Sequence, residues 1–592
     1  MKISLAQIKV IPGQPSLNFE KIKSFVMEAK NNKVDLIIFP ELCVGGSLVG
    51  DRYFDIDYIN YLASFNSKIL ELSKDIAIIW GNILIKQSSA PTRKSKKRPY
   101  ILNTAFFAHD QTYVPRVDGV MAGLSFKKIH ANQNYYDEYR YFKNESVSNS
   151  DFIFKKDGRD FTICLNFVNG FGAAHKVYKA NKTKFHSTDL VINIAASPWV
   201  FTNHKLPKLP LLNNNLCTTV YVNAVGLQDS GKNIFVFDGG SFVLNQEGKL
   251  IANANDMFLE EHLIVDLNEP VPKIVKQERS KLLTAVLYAI EQFDELMFKK
   301  NVKWIIGLSG GLDSTLNAAL LTMSLGKDRV LAYNLPSRFN AETTKNNAKQ
   351  AAEMLGISYK ELAIENLIKA TKDLFTVPVS VAVEENIHAR LRGHLLSTFA
   401  QTEGGVICNN ANKVEVALGY CTLYGDTIGA LSPLGDLTKM QVNELALEVN
   451  RVFAKNVIPT NLIARFKGAV PHFVFPPSAE LKDKQVDPMK WGYHDWLLNE
   501  IILSPTRNLN VFVEDYLNNK LKTSTKKLLS YYGLDKKEAF FADLNWFVST
   551  LHNNSFKRIQ MPPIVTLSPQ AFGSNLPESQ AKIDNYIKVF RD

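Results

Sequence analysis

The segment WIIGLSGGLDST, residues 304–315, constrains the fold of this chain more than any other feature. Trp304 to Leu308 is an apolar run typical of a buried parallel strand, and the residues from Ser314 onward carry helical periodicity. The glycines therefore occupy a strand-to-helix turn. Backbone N–H groups at such a turn, together with the positive end of the following helix, bind anions. The segment thus predicts an anion site within an α/β fold.

This loop is not a Walker loop, because no Gly-Lys-Ser/Thr follows its glycines. The motif SGGLDS resembles the pyrophosphate loop of the ATP pyrophosphatases, which transfer AMP to a substrate and release pyrophosphate. The resemblance implies ATP and Mg²⁺ as cofactors, with Asp313 helping to hold the metal ion. The expected ATP-binding residues of the loop are Gly307, Leu308, Ser309, Gly310, Gly311, Leu312, Asp313 and Ser314. The alternative is an ordinary glycine-rich turn of an α/β protein.

Composition places the chain among globular proteins of several domains. Its 592 residues suffice for two to four units, and 46% hydrophobic with 21% charged residues is typical of a soluble protein. No apolar run approaches the roughly 18 residues that span a bilayer, so we expect no membrane association. The five cysteines are scattered, without a disulfide framework or a Cys-x-x-Cys pair. These observations predict a cytoplasmic protein.

The net charge of +11 raises the question of a nucleic-acid partner. The densest basic run, TRKSKKR at residues 92–98, lies in a Ser/Pro-containing loop between strand-like segments, which is typical of a solvated insertion. Because the charge is otherwise not clustered, we expect no nucleic-acid binding. A net positive charge is also compatible with a site that binds a phosphate-rich small molecule.

The chain changes character near residue 270. Short apolar segments alternate with turns before it, and the proline-containing DLNEPVPKIVKQ at 266–277 reads as a linker before a helix from about Lys281 to Lys300. Repeated strand–helix units then predict a doubly wound parallel sheet. We therefore predict one domain at 1–268, a linker and connecting helix at 269–300, and a second domain at 301–592.

Three residues of the first half suggest amide chemistry when they are considered together. Glu41 ends the strand-like segment LIIFPEL, Lys127 lies in FKKIHANQ, and Cys164 lies in FTICLNF, and we expect each of the three at a strand end. In this order and context they resemble the nitrilase superfamily, which implies an αββα sandwich and a Cys nucleophile with Glu41 as base and Lys127 as oxyanion partner. Glu138 resembles the second glutamate of that family, and Ser197 resembles a glutamine contact. Singly, each residue has an ordinary structural explanation.

A nitrilase-like domain ahead of an ATP pyrophosphatase resembles the glutamine-dependent NAD⁺ synthetases over nearly the whole chain. LPSRFNAET (335–343), EENIHARLRG (384–393), NKVEVALGYCTLYGD (412–426), PPSAELKDKQVD (476–487) and KRIQMPP (557–563) carry the resemblance in the second half. It implies ATP-dependent amidation of nicotinate adenine dinucleotide through an adenylated intermediate, with ammonia from glutamine. It also implies a homo-oligomer, at least a dimer, and in the family up to an octamer.

The resemblance extends to further site residues of the second domain. Arg338 and Asn410 match ATP-binding positions, and Glu415 matches a position that shares Mg²⁺ with Asp313 or contacts the dinucleotide. The remaining positions expected to bind the deamidated dinucleotide are Asn386, Lys413 and Lys557.

Departures from the family pattern leave alternatives open. Leu165 and Asn166 replace the usual Glu-Asp after the nucleophile, and Asn410 replaces a threonine. One alternative is an ammonia-dependent synthetase of the dinucleotide or the mononucleotide, with a degenerate amidase domain. A second is another pyrophosphatase, such as an RNA-thiolating or GMP-forming enzyme. A third is a non-catalytic scaffold, against which the intact SGGLDS argues.

Overall fold

The structure is a computed structural model. It describes residues 1–86, 99–127, 137–145, 151–167, 188–201, 217–254, 258–268, 281–476, 478, 480–481, 487–504, 508–574, 576 and 578–581. The chain divides into two compact units, the first comprising Met1–Ser230 with Phe235–Glu278, and the second comprising Gly231–Ile234 with Arg279–Asp592. The basic run at 92–98 lies outside the described residues. Among the helices that are described, none has the length and apolar character needed to cross a membrane.

The first unit is built mainly from strands. Its described strands are β1 (Lys2–Gln7), β2 (Leu36–Ile38), β3 (Ala77–Lys86), β4 (Tyr100–His109), β5 (Thr112–Tyr113), β6 (Leu124–Phe126), β7 (Asp151–Lys156), β8 (Arg159–Phe167), β9 (Leu190–Ala195), β10 (Thr218–Asn223), β11 (Val225–Ser230), β12 (Asn233–Asp238, of which the first two residues count with the second unit), β13 (Phe242–Leu244), β14 (Leu250–Asn253) and β15 (Glu261–Asp266). Its described helices are α1 (Pro15–Asn31), α2 (Ile56–Leu72) and the short α3 (Glu138–Tyr141), with a 3₁₀ turn at Gly50–Phe54.

Two sheets pack face to face in this unit. The first has the order β15-β1-β2-β3-β4-β5, with β6 also paired to β4, and the second has the order β14-β13-β10-β9-β8-β7. Side chains alternate along β2, so Leu36 and Ile38 pack between the sheets while Ile37 packs under α1 and α2. The described residues thus form three layers of the expected αββα sandwich.

The second unit alternates strands and helices. Its described strands are β16 (Lys303–Gly307), β17 (Val330–Asn334), β18 (Ser358–Glu361), β19 (Gly405–Ile407), β20 (Arg465–Lys467), β21 (Val470–His472) and β22 (Ile564–Thr566). Its described helices are α4 (Lys281–Phe298), α5 (Leu312–Leu325), α6 (Glu342–Leu355), α7 (Glu365–Lys372), α8 (Val381–Thr402), α9 (Lys413–Leu418), α10 (Lys439–Phe453), α11 (Tyr493–Trp496), α12 (Leu509–Leu517), α13 (Thr523–Tyr531), α14 (Lys537–Asn553) and α15 (Ser555–Arg558). A π-helical turn follows α11 at Leu497–Ile502, and a 3₁₀ turn lies at Lys327–Arg329.

A four-stranded parallel sheet of order β18-β17-β16-β19 forms the centre of this unit. On β16, Ile305 packs with Ala400 of α8, whereas the Trp304 indole points the other way and donates to Asp294 of α4 at 2.8 Å. Helices α4, α5 and α10 contact one another, and α8 contacts β16 and β19. Helices therefore cover both faces, which confirms the predicted doubly wound sheet.

Candidate active sites

In the first unit, three charged residues predicted from sequence meet in a buried cluster. The Lys127 Nζ lies 2.7 Å from Glu41 Oε1 and 2.8 Å from Glu138 Oε1. Their side chains are only 2%, 1% and 7% exposed, respectively, so the three charges are almost wholly removed from water. Asn103, which the sequence analysis did not single out, donates from Nδ2 to Glu41 Oε1 at 2.6 Å. One ammonium therefore faces two carboxylates in a site with little solvent.

Local backbone geometry fixes Glu41. It lies three residues beyond β2, and the next residue, Leu42, has a φ of +47°. Gly81 on β3 makes this path possible, because a Cβ there would lie 2.6 Å from the Glu41 Cα and 2.5 Å from the Leu42 nitrogen. A side chain at position 81 would thus push Glu41 out of the cluster.

Burial and the neighbouring charges shift the pKa values of the residues in this cluster. Burial raises the pKa of Glu41, Lys127 opposes that shift, and the Glu138 carboxylate adds to it. Burial disfavours the charged form of Lys127, but Glu41 and Glu138 outweigh this and raise its pKa. Lys127 therefore stays a cation, and Glu41 has a greater affinity for a proton than an exposed glutamate.

Cys164 lies within β8 and three residues before its end, rather than at a strand end. Its neighbours Ile163 and Leu165 pack between the two sheets, so by alternation the Cys164 side chain faces the other way, where it packs with Val191 and Cys217. Burial and the Asp151 carboxylate raise the pKa of its thiol, which donates weakly to Asn166 Oδ1 at 3.8 Å. Among the described residues, no hydrogen bond or ion pair joins Cys164 to the Glu41 cluster.

One buried hydrogen bond nevertheless brings the two segments together. The Ser125 hydroxyl on β6 donates to the Leu165 carbonyl on β8 at 3.2 Å. Ser125 precedes Lys127 by two residues and Leu165 follows Cys164 directly. Ser197 lies just beyond β9, where the Asn223 carboxamide donates to its carbonyl and accepts from its N–H, both at 2.9 Å.

In the second unit, the glycine loop joins β16 to α5 as predicted. Gly311 is the N-cap of α5, and its N–H donates to Ser309 Oγ at 3.3 Å. Ser309 Oγ and Ser314 Oγ lie 3.0 Å apart, which places both hydroxyls at the start of the helix. Hydroxyls and first-turn N–H groups at a helix N-terminus are donors for an anion.

Gly310 offers a direct test of the loop. It has a φ of +86°, and a Cβ there would lie 1.9 Å from the Thr344 carbonyl oxygen. Gly326, at the other end of α5, has a φ of +87° but nothing within 4 Å of a Cβ. Replacement of either glycine by Ala costs roughly 1–3 kcal/mol of backbone strain. We expect Gly326→Ala to lower only the midpoint of unfolding. Gly310→Ala should lower that midpoint and also abolish pyrophosphate release. Equal pyrophosphate release by the two variants would contradict the proposed role of the loop.

Three charged groups meet beside this loop. Lys439 Nζ lies 2.6 Å from Glu415 Oε1 and 3.4 Å from Asp313 Oδ2, and its side chain is 3% exposed. The Asn412 carboxamide donates to Asp313 Oδ1 at 3.1 Å, while its Oδ1 accepts from the Val414 and Glu415 N–H groups at the start of α9. Burial raises the pKa of Glu415 to about 7, against the opposing effect of Lys439.

A cavity of about 560 Å³ opens over this cluster. Of the residues predicted from sequence, those that line it are Gly307, Ser309, Gly311, Leu312, Asp313, Ser314, Asn386, Asn410, Glu415 and Lys557. Leu308, Gly310, Arg338 and Lys413 are not among the lining residues.

Two of the predicted residues outside the cavity lining have other partners. Arg338 donates to Glu384 at 2.9 Å and is about half exposed. Lys413 is buried and pairs with Asp436 at 3.0 Å. Of the lining residues, Asn386 accepts from the Thr422 hydroxyl at 2.8 Å, and Lys557 donates to the Gly419 carbonyl at 3.0 Å.

Lys439 is the main residue that the sequence analysis missed. It is the first residue of α10, directly after Thr438, whose hydroxyl forms a capping box with Gln441. A lysine in the first turn opposes the helix dipole, so its presence there is unfavourable for the helix alone. A capping box followed at once by a lysine could therefore have identified it.

The donor set beside the loop fits Mg²⁺ bound jointly with phosphates. Asp313 and Glu415 both line the cavity, and Mg²⁺ in nucleotide sites commonly takes one or two carboxylates together with phosphate oxygens and water. The described residues contain no group of three or more His, Cys, Asp or Glu side chains that could hold a metal ion without further ligands.

Comparisons with known proteins find similar proteins over nearly the whole chain. The NAD synthase family model matches residues 288–530. A glutamine-dependent NAD(+) synthetase of a Synechocystis strain is 28% identical over 98% of both chains, and that of Acinetobacter baylyi is 29% identical over 82% of this chain and 84% of its own. This chain is thus similar over nearly its whole length to glutamine-dependent NAD(+) synthetases.

A solved structure of a similar protein has the same fold. The glutamine-dependent NAD⁺ synthetase of Acinetobacter baumannii, determined in complex with adenosine diphosphate, has a TM-score of 0.65 and 24% identity, with 96% of each chain covered. The synthetase family model begins within α4 and includes the glycine loop and the cluster of Asp313, Glu415 and Lys439.

Proposed function

We propose that this chain makes NAD⁺ by ATP-dependent amidation of nicotinate adenine dinucleotide, with ammonia released from glutamine in its first unit. The observation that carries the synthetase half is the meeting of Asp313, Glu415 and Lys439 in one cavity beside the glycine loop. A carboxylate is a poor electrophile, so the substrate must first be activated as an acyl adenylate with loss of pyrophosphate. Ammonia then displaces AMP.

The chain's own residues supply binding and charge for this step. The hydroxyls of Ser309 and Ser314, with the N–H groups at the start of α5, bind the phosphates that leave. Asn412 holds Asp313, and Lys439 keeps the two carboxylates from repelling each other. Mg²⁺, when bound by Asp313 and Glu415, supplies the positive charge that neutralises the departing pyrophosphate. We likewise propose that the dinucleotide binds in the part of the cavity lined by Asn386 and Lys557.

In the first unit, we assign Cys164 as the acyl acceptor. The S–H bond breaks as the proton passes to Glu41, the sulfur bonds to the glutamine carboxamide carbon, and the carbonyl electrons move to oxygen beside Lys127. Ammonia leaves, and water held near Glu138 cleaves the thioester to glutamate. The hydrogen bond between Ser125 and Leu165 supports this assignment, because it brings the Lys127 and Cys164 segments together.

A nitrogen-source assay tests the proposal. The full-length protein is supplied with Mg-ATP and nicotinate adenine dinucleotide, and NAD⁺ formation is followed with glutamine or with ammonium chloride. We expect product from both donors, with glutamate formed in proportion to NAD⁺ when glutamine is used. Product from ammonia alone would refute the glutaminase half, and failure with the dinucleotide alongside turnover of a mononucleotide would refute the substrate assignment.

We further propose that the protein acts as a homo-oligomer. A run of apolar side chains is exposed immediately before and within the first turn of α8, the helix that also supplies Asn386 to the cavity: Leu374, Phe375, Val377, Val381 and Val383. Exposed apolar clusters of this kind mark interfaces. Light scattering should give a mass of at least two chains; Phe375→Glu should lower that mass, and a monomeric parent protein would contradict the proposal.

The cysteines support a cytoplasmic location. All five are free in the structure, and four of them are buried. Free thiols are typical of proteins in reducing compartments.

A further inference from the structure

Asn103 contacts two members of the charged cluster through different parts of its structure. It lies on β4 opposite Ile83 of β3 and is 1% exposed. Its side-chain Nδ2 donates to Glu41 Oε1 at 2.6 Å, and its backbone carbonyl accepts from the Lys127 N–H at 3.0 Å. Burial of a carboxamide costs free energy unless the group is hydrogen-bonded. The hydrogen bond to Glu41 therefore offsets part of the cost of burying Asn103 here.

The two oxygens of Glu41 are placed in different surroundings by these contacts. Oε1 accepts from both Lys127 Nζ and Asn103 Nδ2. Oε2 is buried, and within the described residues it accepts from no donor. Lys127 alone could bind either oxygen by rotation of the carboxylate. A second donor on a fixed strand removes that freedom, because only one orientation satisfies both.

We propose that Asn103 is a positioning residue for the glutaminase reaction, which holds Glu41 so that Oε2 is presented as the acceptor of the nucleophile's proton. This inference rests on the proposed function of the first unit and adds a residue to it. Among the described residues Asn103 makes no hydrogen bond to the Cys164 thiol, and in this proposal it acts through Glu41. The proton of the thiol passes to Oε2 as the sulfur bonds to the carboxamide carbon, and it is delivered to the ammonia that leaves.

The charge balance of the cluster gives this role a measurable signature. The titratable groups that face Glu41 among the described residues are Lys127, Glu138 and the Tyr53 phenol. A hydrogen bond from Asn103 to the carboxylate lowers the pKa of Glu41, against the rise caused by burial. A base works only when deprotonated, so loss of this donor moves the acid limb of the reaction to higher pH.

The test uses Asn103→Ala and Asn103→Asp in the full-length protein, with Asn82→Ala as a matched control. Asn82 is also a fully buried carboxamide, on the neighbouring β3, but it contacts the Leu62 carbonyl and Asn66. Glutamate release from glutamine is measured against pH, and NAD⁺ formation from ammonia reports on folding. We expect both Asn103 variants to lose on the order of 10²-fold in kcat with little change in KM. Their acid limb should lie at higher pH than in the parent protein, while ammonia-supported activity and Asn82→Ala glutaminase stay near the parental values.

Each other outcome overturns the inference. If both Asn103 variants keep the parental pH profile, Asn103 does not position Glu41. If glutaminase falls with no shift of the acid limb, or if Asn82→Ala falls equally, the residue is only structural. The Asp variant matches Asn in size, so it keeps the test valid if the Ala variant fails to fold. A parent protein that releases no glutamate from glutamine would instead refute the proposed glutaminase and this inference with it.

Discussion

Replacement of Asp313 by Ala is expected to abolish adenylation with either nitrogen donor. Asp313 is held by the Asn412 carboxamide at 3.1 Å and faces Lys439 and Glu415 beside the glycine loop. Its removal takes one carboxylate away from Lys439, which still faces Glu415 and Asp487, and removes one of the two proposed Mg²⁺ ligands. Stabilisation of the charge on departing pyrophosphate should then fall, and the rate of pyrophosphate release should drop on the order of 10³-fold.

The measurement is pyrophosphate release, and pyrophosphate–ATP exchange, in the presence of Mg-ATP and nicotinate adenine dinucleotide without any nitrogen donor. Asp328→Ala is the matched control, because Asp328 is an exposed aspartate in the turn that follows the same helix. Exchange at the parental rate by the Asp313 variant would show that Asp313 does not take part in adenylation.

Replacement of Cys164 by Ala is expected to eliminate NAD⁺ formation from glutamine and to leave formation from ammonia largely intact. A missing nucleophile cannot be replaced by the oxyanion partner Lys127, so the loss should reach the detection limit of the assay. Ammonia attacks the adenylate in the second unit and needs no thiol. The expected result is therefore a change in the ratio of the two activities, and not a general loss.

Cys217→Ala provides the control for this variant. Cys217 packs in the same small cluster as Cys164, and burial raises the pKa of its thiol to about 11. Loss of packing alone would affect both variants alike, whereas loss of the nucleophile affects only one. Glutamine-supported synthesis by Cys164→Ala would show that the nucleophile lies elsewhere.

The local elements of the synthetase half could be predicted from sequence, because each depends on residues close together in the chain. The loop WIIGLSGGLDST gave a strand at Lys303–Gly307 and a helix from Leu312, two residues earlier than the apolar periodicity suggested. The connecting helix spans Lys281–Phe298, close to the expected range. Lys439 was not predicted from sequence because its partners, Glu415 and Asp313, lie 24 and 126 positions away along the chain.

In the first half, the residues of the charged cluster could be predicted from sequence, but their positions relative to the strand ends could not. Glu41, Lys127 and Glu138 meet as the family pattern implies. The expectation that Glu41 and Cys164 end their strands was wrong: β2 stops three residues before Glu41, and β8 continues three residues past Cys164. Strand ends depend on the partner strand, and those partners come from distant sequence, so a local pattern cannot fix them.

Asn412 contributes both to the start of a helix and to the candidate active site in the second unit. Its oxygen starts the six-residue helix α9, and its nitrogen holds the carboxylate at the head of another helix, α5. So short a helix has little stability of its own, and α9 is held by packing, because Val414, Val416, Ala417 and Leu418 lie in a hydrophobic core cluster. A substitution at position 412 would remove a helix cap and the contact to the Asp313 carboxylate at the same time. Loss of stability and loss of activity should therefore appear together in variants at this position.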